Sequence, residues 1–118
     1  MDLTIEQMMK MQKDLFELHK YEWSPMESAY GKDSILYMVE EIGEVIAVLK
    51  KKGDSSSIDD PTVRDAFLEE MADVLMYYTD ALLRFRVTSE EISEAYVKKH
   101  ERNMGRNYSR EYKEKYHG

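Results

Sequence analysis

The chain has 118 residues, which is about the length of one domain and enough for a single hydrophobic core. Its formal net charge of -7 disfavours nucleic acid as a partner, and the absence of cysteine excludes disulfides and thiolate metal sites. Leu, Met, Ala, Glu and Lys are abundant whereas Gly and Pro are few, which favours an all-α fold. No apolar run is long enough to cross a bilayer, so we expect a soluble, cytoplasmic protein with no signal peptide and no membrane partner.

The first predicted helix opens the chain with a clear start signal. Thr4 is followed three residues later by Gln7, which is the spacing of a capping box. Apolar residues then recur at helical spacing. The stretch 21–32 contains Pro25 and Gly31 and is predicted to be a connection.

The second predicted helix begins near Asp33 or Ser34 and runs to about Lys52, and Gly53 is placed to end it. The segment 53–60 (GDSSSIDD) is the most loop-like stretch of the chain. Its composition leaves open whether it is a mobile lid or an inert loop.

Two further helices complete the predicted architecture. Asp60 can cap the third helix and Pro61 can occupy its first position, and the helix extends to about Arg86. Thr88 opens a fourth helix, which should end near Gly105. The sequence therefore predicts an all-α, four-helix bundle-like domain covering residues 1–118, with a short C-terminal tail or helix.

Two acidic motifs with matched spacing lie in the second and third helices. They are Glu40-Glu41-x-x-Glu44 and Glu70-x-x-Asp73. Carboxylates three or four residues apart lie on the same helix face, and antiparallel packing could bring the two faces together. Such a cluster repels itself unless a counter-ion is present. Magnesium prefers hard oxygen ligands of this kind.

Each acidic motif is predicted to border an apolar stripe of its helix. Helix phasing places Glu41 beside Glu44, whereas Glu40 falls on the other side of Glu44. The alternative is that these acids are ordinary solvated charges, which is the default for surface residues. The stripe of the second helix consists of Ile35, Val39, Ile42, Ile46 and Leu49. The stripe of the third helix consists of Phe67, Met71, Val74, Tyr78, Leu82 and Phe85. A second seam of the third helix is formed by Glu70, Asp73, Tyr77 and Arg84.

The ordered set of motifs resembles the signature of MazG-type nucleoside triphosphate pyrophosphohydrolases, which belong to the all-α NTP pyrophosphatase superfamily. Ile42-Gly43 lies inside the first motif, and Ala72-Asp73-Val74-Leu75 surrounds the end of the second. A later Lys99-x-x-x-Asn103-x-x-Arg106 looks like the basic, substrate-side motif of that family. The resemblance covers most of the chain, from about Trp23 to Arg106.

The resemblance implies a MazG fold and a magnesium site formed by Glu41, Glu44, Glu70 and Asp73, with Mn²⁺ as a substitute metal. It also implies catalytic roles for Glu40 and Glu41. Such enzymes hydrolyse a nucleoside triphosphate to the monophosphate and pyrophosphate by attack of water on the α-phosphorus. Nucleotide-pool housekeeping and a homodimer or homotetramer are the implied physiological role and assembly.

Substrate contacts are also implied by the resemblance. Lys99, Asn103 and Arg106 would contact phosphate or sugar, although a basic helix end favoured by the helix dipole is the alternative interpretation. Tyr77, one turn after Asp73, and Trp23 could each stack on the base. A plain core role is the alternative for both aromatic residues.

Two other classes of function compete with the hydrolase. A non-enzymatic acidic helical module for interaction or regulation would carry the carboxylates as an exposed surface, and metal would have no effect on it. A carboxylate-bridged di-iron bundle requires Glu-x-x-His motifs on two helices, and the chain lacks such a pair. Base and sugar preference are not readable from the sequence, because they depend on pocket shape.

Overall fold

The computed structural model describes residues 1–116, which are mainly helical and contain no strand. The predicted all-α class is confirmed. The four predicted helices are present, together with a one-turn helix inside the predicted loop and a C-terminal helix. The α-helices are α1 (Ile5–His19), α2 (Gly31–Lys52), α3 (Ser56–Asp59), α4 (Pro61–Arg84), α5 (Ser89–Met104) and α6 (Tyr108–Tyr116), and a 3-10 turn at Ser28–Tyr30 precedes α2.

Local side-chain chemistry fixes several helix ends as predicted. Thr4 and Gln7 form a capping box, in which Thr4 Oγ1 accepts from the Gln7 N–H at 3.1 Å and Gln7 Oε1 accepts from the Thr4 N–H at 2.7 Å. Gly53 ends α2 with a φ of 88°, a conformation that is costly for residues with a Cβ. Asp60 caps α4 by accepting from the Thr62 N–H at 3.0 Å. These bonds satisfy backbone groups that helix ends leave unpaired.

Two boundaries differ from the sequence prediction. The helix α2 begins at Gly31, earlier than predicted, because the 3-10 turn leads directly into it. The predicted loop 53–60 contains α3, which is held by tertiary contacts. Ser57 is buried there and donates to the Asp54 carbonyl at 2.6 Å, while Arg64 Nη1 donates to the Ser57 carbonyl at 3.3 Å.

The chain consists of two compact units, Met1–Thr88 and a second unit that begins at Ser89. In the first unit α2 and α4 form the main helix pair, and α1 and α3 pack against α4. The second unit contains α5 and α6. The single-domain organisation of residues 1–118 stays a prediction.

The predicted apolar stripe of α2 is not the face that packs within the first unit. Four of its members are 40% to 57% exposed: Ile35, Val39, Ile42 and Ile46. The packed face carries Gly31, Ser34 and Val45, which are buried, with Glu41 half-buried in the same row. The prediction was wrong because periodicity shows that a helix has an apolar side but not which side its neighbour covers. Gly31 leaves room for the ring of Phe85, which directly follows α4, and Ser34 donates a hydrogen bond to Asp80 of α4.

The predicted apolar stripe of α4 is also only partly covered. Its members Phe67, Val74, Tyr78 and Leu82 are half-buried, whereas Met71 and Phe85 are 45% and 47% exposed. None of the helices within residues 1–116 combines the length and the apolar character that a bilayer-spanning segment requires.

Candidate metal centre and adjoining cavity

Helix phasing places the key carboxylates inside the packed seam between α2 and α4. On α2, Glu41 lies four residues before the buried Val45 and seven after the buried Ser34. On α4, Glu70 lies seven residues after the buried Val63, and Asp73 follows one turn later. Positions separated by three, four or seven residues share a helix face. The acids therefore occupy core-facing positions that apolar residues would ordinarily fill.

Three carboxylates from the two helices converge. Glu41, Glu70 and Asp73 are all half-buried, and each offers a carboxylate oxygen within 4.8 Å of the others. Oxygen ligands of one octahedral Mg²⁺ ion lie at most about 4 Å apart, because each lies about 2.1 Å from the ion. Small side-chain movements therefore suffice to close the three residues around one cation.

The electrostatics of the cluster favour a cation. Partial burial raises the pKa of Glu70 above its usual 4.5, and so do a hydrogen bond with Glu41 and the negative charges of Glu41, Asp73 and Glu44. A carboxyl group with a raised pKa is one whose ionised form is poorly compensated by its surroundings. A divalent ion would compensate it, and the donors are all hard carboxylate oxygens, so the residues present fit magnesium.

The other two predicted acidic residues lie outside this triad. Glu44 is exposed one turn beyond Glu41, close enough for its charge to act on Glu70. Glu40 is exposed and is not among the three grouped carboxylates. The structure thus brings together three of the four predicted ligands and leaves Glu44 at the solvent edge.

A cavity of about 390 Å³ adjoins the cluster in the first unit. Asp73 belongs both to the triad and to the cavity wall. The rings of Tyr37 and Tyr77 lie 5.8 Å apart and are tilted by 40°. Trp23, which also lines the cavity, stacks on His19 at 5.0 Å. Both aromatic residues predicted for substrate binding, Trp23 and Tyr77, therefore line the cavity that Asp73 connects to the carboxylates.

The phenol of Tyr77 stays protonated at neutral pH. Burial raises its pKa above 10, and the charges of Glu41 and Asp73 add to this effect. Tyr77 can therefore donate a hydrogen bond into the cavity while its ring offers a stacking surface.

A buried polar network forms the deep wall of the cavity. Asp80 and Arg84 are 4% and 6% exposed, and Arg84 Nε donates to Asp80 Oδ2 at 2.7 Å. Ser34 Oγ donates to the same oxygen at 2.6 Å, and Gln12 Nε2 approaches Asp80 Oδ1 at 3.5 Å. One carboxylate thereby joins α1, α2 and α4. The available sequence signal was a pair of opposite charges four residues apart in an otherwise apolar helix segment. The sequence prediction placed Arg84 in the second seam of the helix but gave Asp80 no role.

The remaining predicted substrate residues belong to the second unit. Lys99 and Asn103 lie one turn apart on α5. Arg106 follows the helix, and its Nη1 donates to Asn103 Oδ1 at 3.3 Å while its Nε donates to Glu111 Oε2 at 2.8 Å. Their substrate-contact roles stay predictions from the resemblance.

Comparisons of the chain with protein-family models, curated proteins and solved structures found no match. The site must therefore be interpreted from its own chemistry. It combines a half-buried carboxylate triad, which can bind a divalent cation, with an aromatic cavity large enough for a small organic ligand. A ligand that spans both would carry an anionic group at one end and a planar ring at the other.

Proposed function

We propose that this chain is a magnesium-dependent nucleoside triphosphate pyrophosphohydrolase that releases a nucleoside monophosphate and pyrophosphate. The observation that carries the proposal is the position of Asp73, which belongs to the carboxylate triad and to the wall of the aromatic cavity. A nucleotide has the matching form, with a planar base and a polyanionic chain. The ordered acidic motifs that resemble the MazG signature support the same conclusion.

Glu41, Glu70 and Asp73 would hold the metal, and Glu44 could join them from the exposed edge of α2. The bound ion supplies neutralisation of the triphosphate and stabilisation of the leaving pyrophosphate. Mn²⁺ would substitute, since it also accepts carboxylate oxygens. Without a cation the acidic cluster would repel the substrate.

The remaining chemistry falls to the carboxylates and to water. Water attacks the α-phosphorus, the bond to the oxygen bridging the α- and β-phosphorus breaks, and a carboxylate takes up the proton of the water. Glu41 is the first proposed residue for this role, supported by its half-buried position beside Glu70 and Asp73. Glu40, exposed and next in sequence, is the second proposed catalytic residue. The proposed setting is nucleotide-pool housekeeping in the cytoplasm.

A homodimer or homotetramer is part of the proposal. The support is the exposed apolar stripe of α2, formed by Ile35, Val39, Ile42 and Ile46. Contiguous exposed apolar faces commonly mark interaction surfaces in proteins. Sedimentation velocity should show a species of two or more chains, and Ile42→Asp should shift it toward the single chain.

The hydrolase activity can be tested with a panel of canonical and modified nucleoside triphosphates in the presence of Mg²⁺. We expect equal amounts of monophosphate and pyrophosphate from at least one substrate. Glu41→Gln and Asp73→Asn should abolish turnover while the helical content is retained. Glu69→Gln is the matched control, since Glu69 is an exposed acid next to the cluster but outside it.

The outcomes separate the proposal from its alternatives. Release of single phosphate would reject the proposed bond cleavage. No turnover across the panel, together with no change in melting temperature on addition of Mg²⁺, would favour the acidic interaction module. Wild-type turnover by Glu41→Gln or Asp73→Asn would remove that residue from the metal site.

A further inference from the structure

The ion pair Asp80–Arg84 has a geometric consequence for the cavity wall. Arg84 Nε donates a hydrogen bond to Asp80. Arg84 Nη1 donates to the backbone carbonyls of Ser24 and Pro25, at 3.2 Å and 2.6 Å. A guanidinium group is planar and rigid. Once the hydrogen bond to Asp80 fixes Nε of Arg84, the direction of Nη1 is fixed as well.

The carbonyls that Arg84 binds belong to the loop that carries Trp23. Ser24 follows Trp23 directly, and the Trp23 ring lines the cavity. On its N-terminal side the loop continues from α1, where the Trp23 N–H donates to the His19 carbonyl at 3.0 Å. Arg84 thus ties the C-terminal side of this loop to α4, the helix that also carries Tyr77 and Asp73.

Stability alone is a weak reason for such a buried ion pair. Burying two charges costs desolvation free energy, and well-packed apolar residues often serve a fold equally well. The pair also does not take part in the carboxylate triad. Its distinctive property is that it fixes the distance between the Trp23 loop and the face of α4 that lines the cavity.

We propose that Arg84, oriented by Asp80, positions Trp23 as the wall of the cavity on which the nucleobase stacks. The inference rests on the proposed function, because it concerns the base-binding end of the same site. Arg84 is a positioning residue that acts through Trp23. Stacking of a base on an aromatic side chain contributes about 1–3 kcal/mol, so a displaced Trp23 weakens substrate binding measurably.

Arg84→Lys is the informative variant. Lysine keeps the charge that Asp80 requires, so no buried carboxylate is left unpaired, but an ammonium group lacks the planar fork that reaches both Asp80 and the loop. Arg64→Lys is the matched control. Arg64 lies on the same helix and also donates to a backbone carbonyl, that of Ser57 at 3.3 Å, but it does not line the cavity.

The chain contains a single tryptophan, so its fluorescence reports on Trp23 alone. In the nucleotide-free protein we expect Arg84→Lys to increase the quenching of Trp23 by acrylamide, and Arg64→Lys to leave it unchanged. With Mg²⁺ and the best substrate of the panel, Arg84→Lys should raise KM about tenfold with little change in kcat, as expected when about 1.4 kcal/mol of base stacking on Trp23 is lost. Ser34→Ala removes one hydrogen-bond donor from Asp80. It should also increase the quenching of Trp23 and raise KM, but by less than Arg84→Lys does.

Three outcomes would overturn the inference. Quenching in Arg84→Lys equal to that in Arg64→Lys would show that Arg84 does not hold the loop, even if the wild-type chain hydrolyses nucleotides. A loss confined to kcat would assign Arg84 to the reacting phosphates instead of the base. Increased quenching with no hydrolysis by the wild-type chain would refute the proposed function and leave Arg84 as a loop anchor only. If Arg84→Lys does not fold, Ser34→Ala tests the inference instead, through the quenching of Trp23 and the KM.

Discussion

Arg84 lies one turn after Asp80 on α4, and its Nε donates to Asp80 Oδ2 at 2.7 Å although both side chains are only 6% exposed. Ser34 donates to the same oxygen from α2. The charge of Asp80 is thus compensated by one cation and by donors from two other helices. Removal of either partner would leave the other charge buried and unpaired.

We expect Asp80→Ala to lower the free energy of unfolding by about 3–5 kcal/mol, which is typical for breaking a buried ion pair from one side. Arg84→Met should also be costly. The double variant should lose clearly less than the sum of the two single losses, because no charge is then left unpaired. Urea unfolding of the four proteins measures this coupling. Additive losses would show that the two side chains contribute independently.

The carboxylate triad predicts opposite effects of Glu70→Gln on stability and on metal binding. The substitution removes the carboxylate that the negative charges of Glu41, Asp73 and Glu44 disfavour, so the metal-free protein should melt at a higher temperature. The same substitution removes a ligand, so addition of Mg²⁺ should no longer raise the melting temperature.

Glu69→Gln serves as the control for this experiment, since it removes an equal charge from the neighbouring, exposed position. It should leave the Mg²⁺-induced shift intact. A Glu70→Gln protein that keeps the full shift would show that Glu70 is not a metal ligand.

The raised pKa of Glu70 also predicts a pH dependence. The folded state holds the Glu70 proton more tightly than the unfolded state, whose pKa is near 4.5. The metal-free chain therefore loses stability as the pH rises from 4.5 through the pKa of the folded state, and regains it as the pH falls. We expect the difference in melting temperature between Glu70→Gln and the wild type to increase as the pH rises through this range. Above this range the difference should level off. A difference that is constant with pH would contradict the raised pKa.

Saturating Mg²⁺ should reverse this trend for the wild type. Metal ligands must be deprotonated, so the stabilisation by Mg²⁺ grows as the pH rises through the pKa of Glu70. The Mg²⁺-induced shift in melting temperature, measured across the same pH range, tests this directly. A shift that weakens with rising pH would argue against binding through these carboxylates.

The helix ends were predictable because their chemistry is local. Thr4 with Gln7 and Asp60 with Pro61 are signals within a few residues, and both operate in the structure. The grouping of Glu41 with Glu70 could be predicted from spacing, because the acidic residues of each motif lie three or four positions apart and so share a helix face. The faces by which the helices pack were not accessible in this way.

Two features required tertiary information. The apolar row beginning at Ile35 looked like the core of α2, but the chain itself covers the row of Gly31, Ser34 and Val45. The network around Asp80 joins residues 46 and 68 positions away in the sequence, Ser34 and Gln12. No local pattern encodes those pairings, because they depend on how three helices are oriented around one carboxylate.

Two glycines of α2 provide the last prediction, since they lie in opposite environments. A Cβ added at Gly31 would overlap the ring of Phe85, whereas nothing lies within 4 Å of a Cβ added at Gly43. Gly31→Ala should therefore lower the free energy of unfolding by about 1–3 kcal/mol through overpacking. Gly43→Ala should raise it by about 0.5–1 kcal/mol, because alanine loses less backbone entropy in a helix interior.

Urea unfolding at low protein concentration compares these two substitutions in the isolated chain. Gly43 lies among the exposed residues Val39, Ile42 and Ile46, so its environment is open only while no second copy covers this face. A gain in stability at low concentration that becomes a loss at high concentration would locate an interface at Gly43. Destabilisation by Gly43→Ala at every concentration would contradict the open surface in the single chain.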